Sequence, residues 1–120
     1  MFLNTADDVY MAKVVVVISS EDEKFDVALT FAYRSYVNKR FSDIKVLFFG
    51  PSQKRLAKLD GDNLKMLQEL IQAGVVDSAC VRYAENWGLS EEITKRGVRL
   101  APFGERLATL LNEGYTPITF

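Results

Sequence analysis

The sequence predicts an α/β fold: a three-layer α/β/α domain around a mostly parallel five-stranded sheet. Two observations carry this. Ala12–Ser19 holds a continuous β-branched run, as strands buried on both faces of a parallel sheet do. Strand-like runs then alternate with amphipathic helical stretches as far as Phe120, with no repeat, low-complexity tract or linker between them. A chain of 120 residues of this kind forms one domain around one core, here residues 1–120. Residues 1–10 show no clear period and read as a loose arm or a partner contact.

The elements follow in order. After the first strand, Ser20 and Glu23 have capping-box spacing, and the helix that follows places Phe25, Ala28, Leu29, Ala32 and Tyr36 on one face, ending near Asn38. Ile44–Phe49 is a second strand, closed by the turn signal Gly50-Pro51. Gly61-Asp62-Asn63 precedes a helix that faces inward through Leu64, Leu67, Leu70 and Ile71, and Gly74 stands at its C′ position. Val75–Val81 is the third strand, with Cys80 near its end and Val76 and Ser78 sharing its parity. Ser90–Glu92 begins a short helix that Gly97 closes, and Val98–Ala101 is a brief fourth strand broken by Pro102. Glu105–Asn112 is a helix facing inward through Leu107, Leu110 and Leu111. Tyr115–Phe120 is the fifth strand, which Pro117 assigns to an edge or a strand end. Phe25, Phe31, Phe48 and Phe49 occupy positions expected for core.

Composition narrows the function. Hydrophobic residues make up 48% and charged residues 26%, ordinary for a soluble globular domain. The net charge is −1 and the lysines and arginines are dispersed, so nucleic acid is not an expected partner. No apolar run approaches the roughly 20 residues that cross a bilayer, and the first residues lack the basic flank and apolar run of a signal peptide. With a single cysteine there is no internal disulfide, and a cytoplasmic location is expected.

The chain has one cysteine and no histidine. Imidazole chemistry is therefore absent, and a metal site has little support. The first strand–helix turn, Ser19–Asp22, has no glycine and two acids, which argues against a dinucleotide or P-loop site. No cofactor is expected. Ser19 and Ser20 read as helix caps, since no base is at hand to activate them. The remaining candidate is Cys80, a thiol at a strand end facing the start of the next helix, where amide dipoles favour thiolate. Arg82 points the same way if residues 80–82 stay extended. The competing reading makes Cys80 a small apolar residue of the core. Tyr83, Trp87 and Phe103 form either an aromatic wall near Cys80 or the packing of a subunit interface.

The segment Cys80-Val-Arg-Tyr-Ala-Glu-Asn-Trp-Gly88 resembles the DsrE/DsrF-like sulfur-relay family, in which a cysteine ends the third strand and a glycine follows eight residues later. Gly97–Pro102, Gly104-Glu105 and Glu113–Phe120 extend the likeness, which spans residues 12–120. The resemblance implies that Cys80 accepts sulfane sulfur as a persulfide and passes it from a donor protein to an acceptor protein. Arg82, Tyr83, Trp87 and Gly88 would then be supporting residues, and the assembly a homotrimer or homohexamer. Many members carry a second cysteine three residues after the first; here that position is Tyr83. The alternative is a non-catalytic oligomeric module of the same fold that binds a small ligand or a protein partner.

Overall fold

A computed structural model describes residues 11–120; the N-terminal arm lies outside the described residues. The elements are β1 (Lys13–Ile18), α1 (Glu23–Val37), β2 (Asp43–Phe48), α2 (Ser52–Leu56), α3 (Gly61–Gln72), β3 (Val76–Cys80), α4 (Val81–Asn86), α5 (Ser90–Lys95), β4 (Leu100–Ala101), α6 (Phe103–Asn112) and β5 (Tyr115–Thr119). The five strands are all parallel, in the order β4-β3-β2-β1-β5.

That order dictates the layers. From β1 to β4 each connection steps to the next strand in the same direction, and right-handed crossovers put those helices on one face. There Val14, Val16 and Ile18 of β1 pack with Phe25 and Leu29 of α1, Leu67 and Leu70 of α3, Ala84 of α4 and Ile93 of α5. The connection through α6 runs back past β1 to the far edge, so among the described residues α6 alone covers the other face. Its Leu110, with Phe103 and Leu107, packs on Val15, Val17, Leu47 and Tyr115. Alternate residues of β1 are buried on both faces, which is why Val14–Ile18 reads as a continuous apolar run.

Several local expectations are corrected. Asp22, not Ser20, caps α1: its side chain accepts the Lys24 N–H at 3.0 Å. Ser35 takes the inward place expected of Tyr36, which is exposed. In α6, which begins at Phe103 rather than Glu105, Leu110 is buried, Leu107 partly so and Leu111 exposed. Phe49 is likewise partly exposed, whereas Phe25 and Phe48 are fully buried. Two short helices, α2 and α4, stand in stretches to which the sequence assigns no helix.

The third strand departs from period two. Val46 pairs with Val76 but Leu47 pairs with Ser78, so Asp77 is an extra residue, a bulge. The bulge places Val76 against the α1 face, while Ser78 and Cys80 fall on the α6 face. Asp77 is thereby brought to α6. Its buried carboxylate receives Arg106 Nε at 3.0 Å and Nη2 at 2.8 Å, and the Ser78 hydroxyl at 2.9 Å. Burial pushes this carboxyl up, but the Arg106 and Ser78 hydrogen bonds and the charges of Arg106 and Arg99 outweigh it and hold it below the ordinary range. This ion pair ties α6 to the sheet.

Pro117 lies on the edge strand as expected. Phe120 N–H donates to Val17 O at 2.9 Å and Phe120 O accepts from Ser19 N–H at 2.8 Å, so Phe120 turns both amide groups toward β1. By alternation Ile118 and Thr116 do the same, and Pro117 faces outward, where its missing N–H costs no ladder bond.

Candidate active site

Cys80 ends β3 and is the N-cap residue of α4, with φ −66° and ψ 118°. It pairs with Ala101 at the end of β4. The connection after β3 leaves on the α1 face and the connection after β4 leaves on the α6 face. The chain therefore leaves the carboxyl ends of these two strands toward opposite faces, at a topological switch point, where open α/β sheets bind ligands. Cys80 lies in that crevice, a cleft of about 480 Å³ lined also by Phe49, Val81, Arg82 and the first turn of α6, Pro102–Glu105.

The thiol is enclosed rather than displayed: Cys80 is 7% exposed. Phe49 and Phe103 stack beside it with centroids 4.1 Å apart and planes at 24°, forming the apolar wall of the cleft. Its backbone is fixed from behind. Gln53, fully buried on α2, donates from Nε2 to Cys80 O at 2.9 Å, while its Oε1 accepts Gly50 N–H at 3.2 Å. Ser52 beside it donates to Ile18 O at 2.6 Å. One short helix thus locks the ends of β1, β2 and β3 together, and Gln53 satisfies polar groups that burial would otherwise strand.

The remaining sequence candidates divide. Residues 80–82 are not extended, since α4 begins at Val81, yet Arg82 still lines the Cys80 cleft. Phe103 does so too. Tyr83 and Trp87, one helical turn apart, stack on each other with centroids 5.6 Å apart, and Trp87 belongs to a different cavity, where Lys54 Nζ lies 3.6 Å from its ring centre. Neither lines the Cys80 cleft.

Gly88 is a helix terminator. At φ +67° it is the C′ residue of a Schellman cap: Leu89 N–H donates to Ala84 O at 2.8 Å and Gly88 N–H to Glu85 O at 3.2 Å. The eight-residue spacing from Cys80 to Gly88 is the length of α4 with its caps. Gln53 and Phe49 are the contributors that sequence reasoning missed. Among the described residues no group of three or more Cys, Asp or Glu side chains is placed to hold a metal ion, and no helix is long and apolar enough to cross a membrane.

The fold and cleft define a three-layer α/β domain with a sheltered thiol at its switch point. No family model matches the chain, and no curated protein matches it. Among solved structures it is similar to a conserved protein of unknown function from Bacteroides thetaiotaomicron, with a TM-score of 0.77 and 21% identity over 98% of this chain and 100% of that one. At that identity the likeness shows the fold alone.

Proposed function

We propose that the protein is a sulfur carrier of the DsrE/DsrF-like kind, holding sulfane sulfur on Cys80 between a donor and an acceptor protein. The observation that carries this reading is the position of the chain's one thiol: at the switch point, in a cleft with an apolar aromatic wall and an arginine at its side. The chemistry asks for nothing else. Cys80 thiolate attacks the outer sulfur of a donor persulfide, the donor's S–S bond breaks, and the donor leaves as a thiolate. The outer sulfur and its proton stay on Cys80 as a persulfide. An acceptor thiolate then attacks that outer sulfur and Cys80 leaves as thiolate, so no net oxidation occurs and no cofactor is used. The apolar wall of Phe49 and Phe103 shelters the persulfide from water, and the single cysteine removes the competing internal disulfide. A homotrimer or homohexamer that narrows the cleft mouth would select which partner reaches it.

A second reading has its own support. At 7% exposure Cys80 also suits a structural role in a non-catalytic oligomeric module. Sulfane sulfur content separates the two. After incubation with inorganic polysulfide and desalting, cyanide releases thiocyanate from bound sulfane sulfur. One equivalent from wild type and none from Cys80→Ser supports the carrier; none from either protein supports the module.

A further inference from the structure

One residue holds both ends of the segment that walls the Cys80 cleft. Asp77 Oδ1 accepts from Arg106 Nη2 at 2.8 Å and Oδ2 from Arg106 Nε at 3.0 Å, and Arg106 lies one helical turn beyond Pro102. On the other side of the wall, just before β4, Arg99 Nη2 lies 3.6 Å from Asp77 Oδ2 and Arg99 Nε donates to Asp77 O at 3.4 Å. Residues 99 and 106 are thus clasped on the same residue. Between them run β4 and Pro102–Glu105, the stretch that lines the cleft with Cys80. The two ties are unequal: the Arg106 fork is the strong one, and Arg99 is more than half exposed.

Other contacts fix this strap less firmly. β4 is two residues long and pairs with β3 alone among the described residues, and Pro102 has no N–H to give to the sheet. Helix α6 is seated through Leu110, which is buried, and through Phe103 and Leu107, which are partly so. The opposite side of the cleft is fixed independently, since Gln53 anchors the Cys80 carbonyl and Phe49 belongs to the turn after β2. Asp77 is also the extra residue of the β3 bulge, and a bulge re-aims a side chain at the cost of ladder pairing. A buried ion pair adds little stability over apolar side chains of the same size, because both charges lose water. Position is what the bulge and its carboxylate supply.

We propose that Asp77 is a positioning residue for the thiol: by clasping both ends of residues 99–106 it fixes the width of the cleft and so sets the largest molecule that reaches Cys80. The proposal rests on Cys80 being reached through this cleft, as the carrier reading requires, and not on what the thiol carries.

Two maleimides of different bulk, N-ethylmaleimide and pyrenylmaleimide, read that width in the folded protein, with N-acetylcysteine as the open reference. Relative to the reference, wild-type Cys80 disfavours the pyrenyl reagent about tenfold or more, and Asp77→Asn, which keeps the size, cuts that discrimination about threefold or more. Ala32→Gly, a core substitution on the opposite face of the sheet, lowers the urea midpoint yet leaves the discrimination at the wild-type value. If Asp77→Asn does not fold, Arg99→Gln with Arg106→Lys loosens the same two ends from their more exposed partners. Discrimination that survives loosening of the clasp unchanged overturns the proposal. So does an equal loss in Ala32→Gly, a wild type without discrimination, or a wild-type thiol that reacts with neither reagent until it unfolds. Thiocyanate released after polysulfide loading reports separately on the carrier. Loading with unchanged discrimination removes the clasp alone; lost discrimination in the variant, with no loading of wild type, removes the carrier alone.

Discussion

Gln53 and Cys80 lie 27 positions apart, and the side-chain amide of the first donates to the main-chain carbonyl of the second at 2.9 Å. The same amide accepts from Gly50 N–H, so one buried side chain joins the turn after β2 to the residue bearing the thiol. The position of Cys80 is therefore set from α2 rather than from its own helix.

Replacing Gln53 by Leu keeps the volume but leaves Gly50 N–H without its partner and removes one acceptor bond from Cys80. The expected loss is about 2 kcal/mol of unfolding free energy in urea. Iodoacetamide should also alkylate Cys80 faster in the folded variant than in wild type. An unchanged midpoint and alkylation rate would show that the amide does not hold the thiol.

The strand-and-helix grammar was legible in the sequence because it rests on local physics. β1 reads as buried because both its faces are, and Gly74 and Gly97 mark helix ends because only glycine enters those positive φ values cheaply. What the sequence concealed depends on contacts between distant residues. Gln53 is polar and follows a Gly-Pro turn, so it reads as surface loop; it is buried only because its two amide atoms meet groups from two strand ends. The Asp77 bulge was hidden for the same reason, since its extra residue is accommodated by Arg106 from the far side of the sheet. The helices α2 and α4 are five and six residues long, too short to show a period. Of the site candidates, Cys80 and Arg82 share one cleft and Trp87 lines another. Gly88 proves to be the cap that ends α4.

Gly88→Ala tests that division of roles. A Cβ at φ +67° meets no neighbour, so the cost is conformational alone, about 1 kcal/mol. Thermal or urea unfolding should record this loss while sulfur loading of Cys80 stays at the wild-type level. A variant of full stability that fails to load would place Gly88 in the site instead.

The Asp77–Arg106 pair gives a pH dependence with a definite sign. Asp77 is 8% exposed and its folded pKa is depressed. Its contribution is complete above the ordinary carboxylate value of about 3.9 and disappears as pH falls through the lower folded value. Arg106→Ala strands a buried carboxylate and should cost about 2–3 kcal/mol at neutral pH. That figure is below a fully buried pair because Arg106 is 27% exposed and Arg99 remains nearby. Urea titrations should show the gap between the two proteins closing below about pH 4. A gap constant with pH would mean that Arg106 acts through packing alone.

Pro117 guards the edge of β5 that is unpaired among the described residues. Pro117→Val restores an outward N–H to an edge strand, and sedimentation velocity should then show concentration-dependent association beyond the wild-type state. Identical sedimentation of the two proteins would mean that the edge is protected by other means.

The central claim, that the sheltered thiol of Cys80 carries sulfur, is tested most directly by intact mass after incubation with a persulfide donor, wild type beside Cys80→Ser. A gain of one sulfur atom on wild type alone, reversed by an added acceptor thiol, is the predicted result. No gain on wild type, with Cys80 resisting alkylation until the protein is denatured, would contradict the account and make the thiol a core residue.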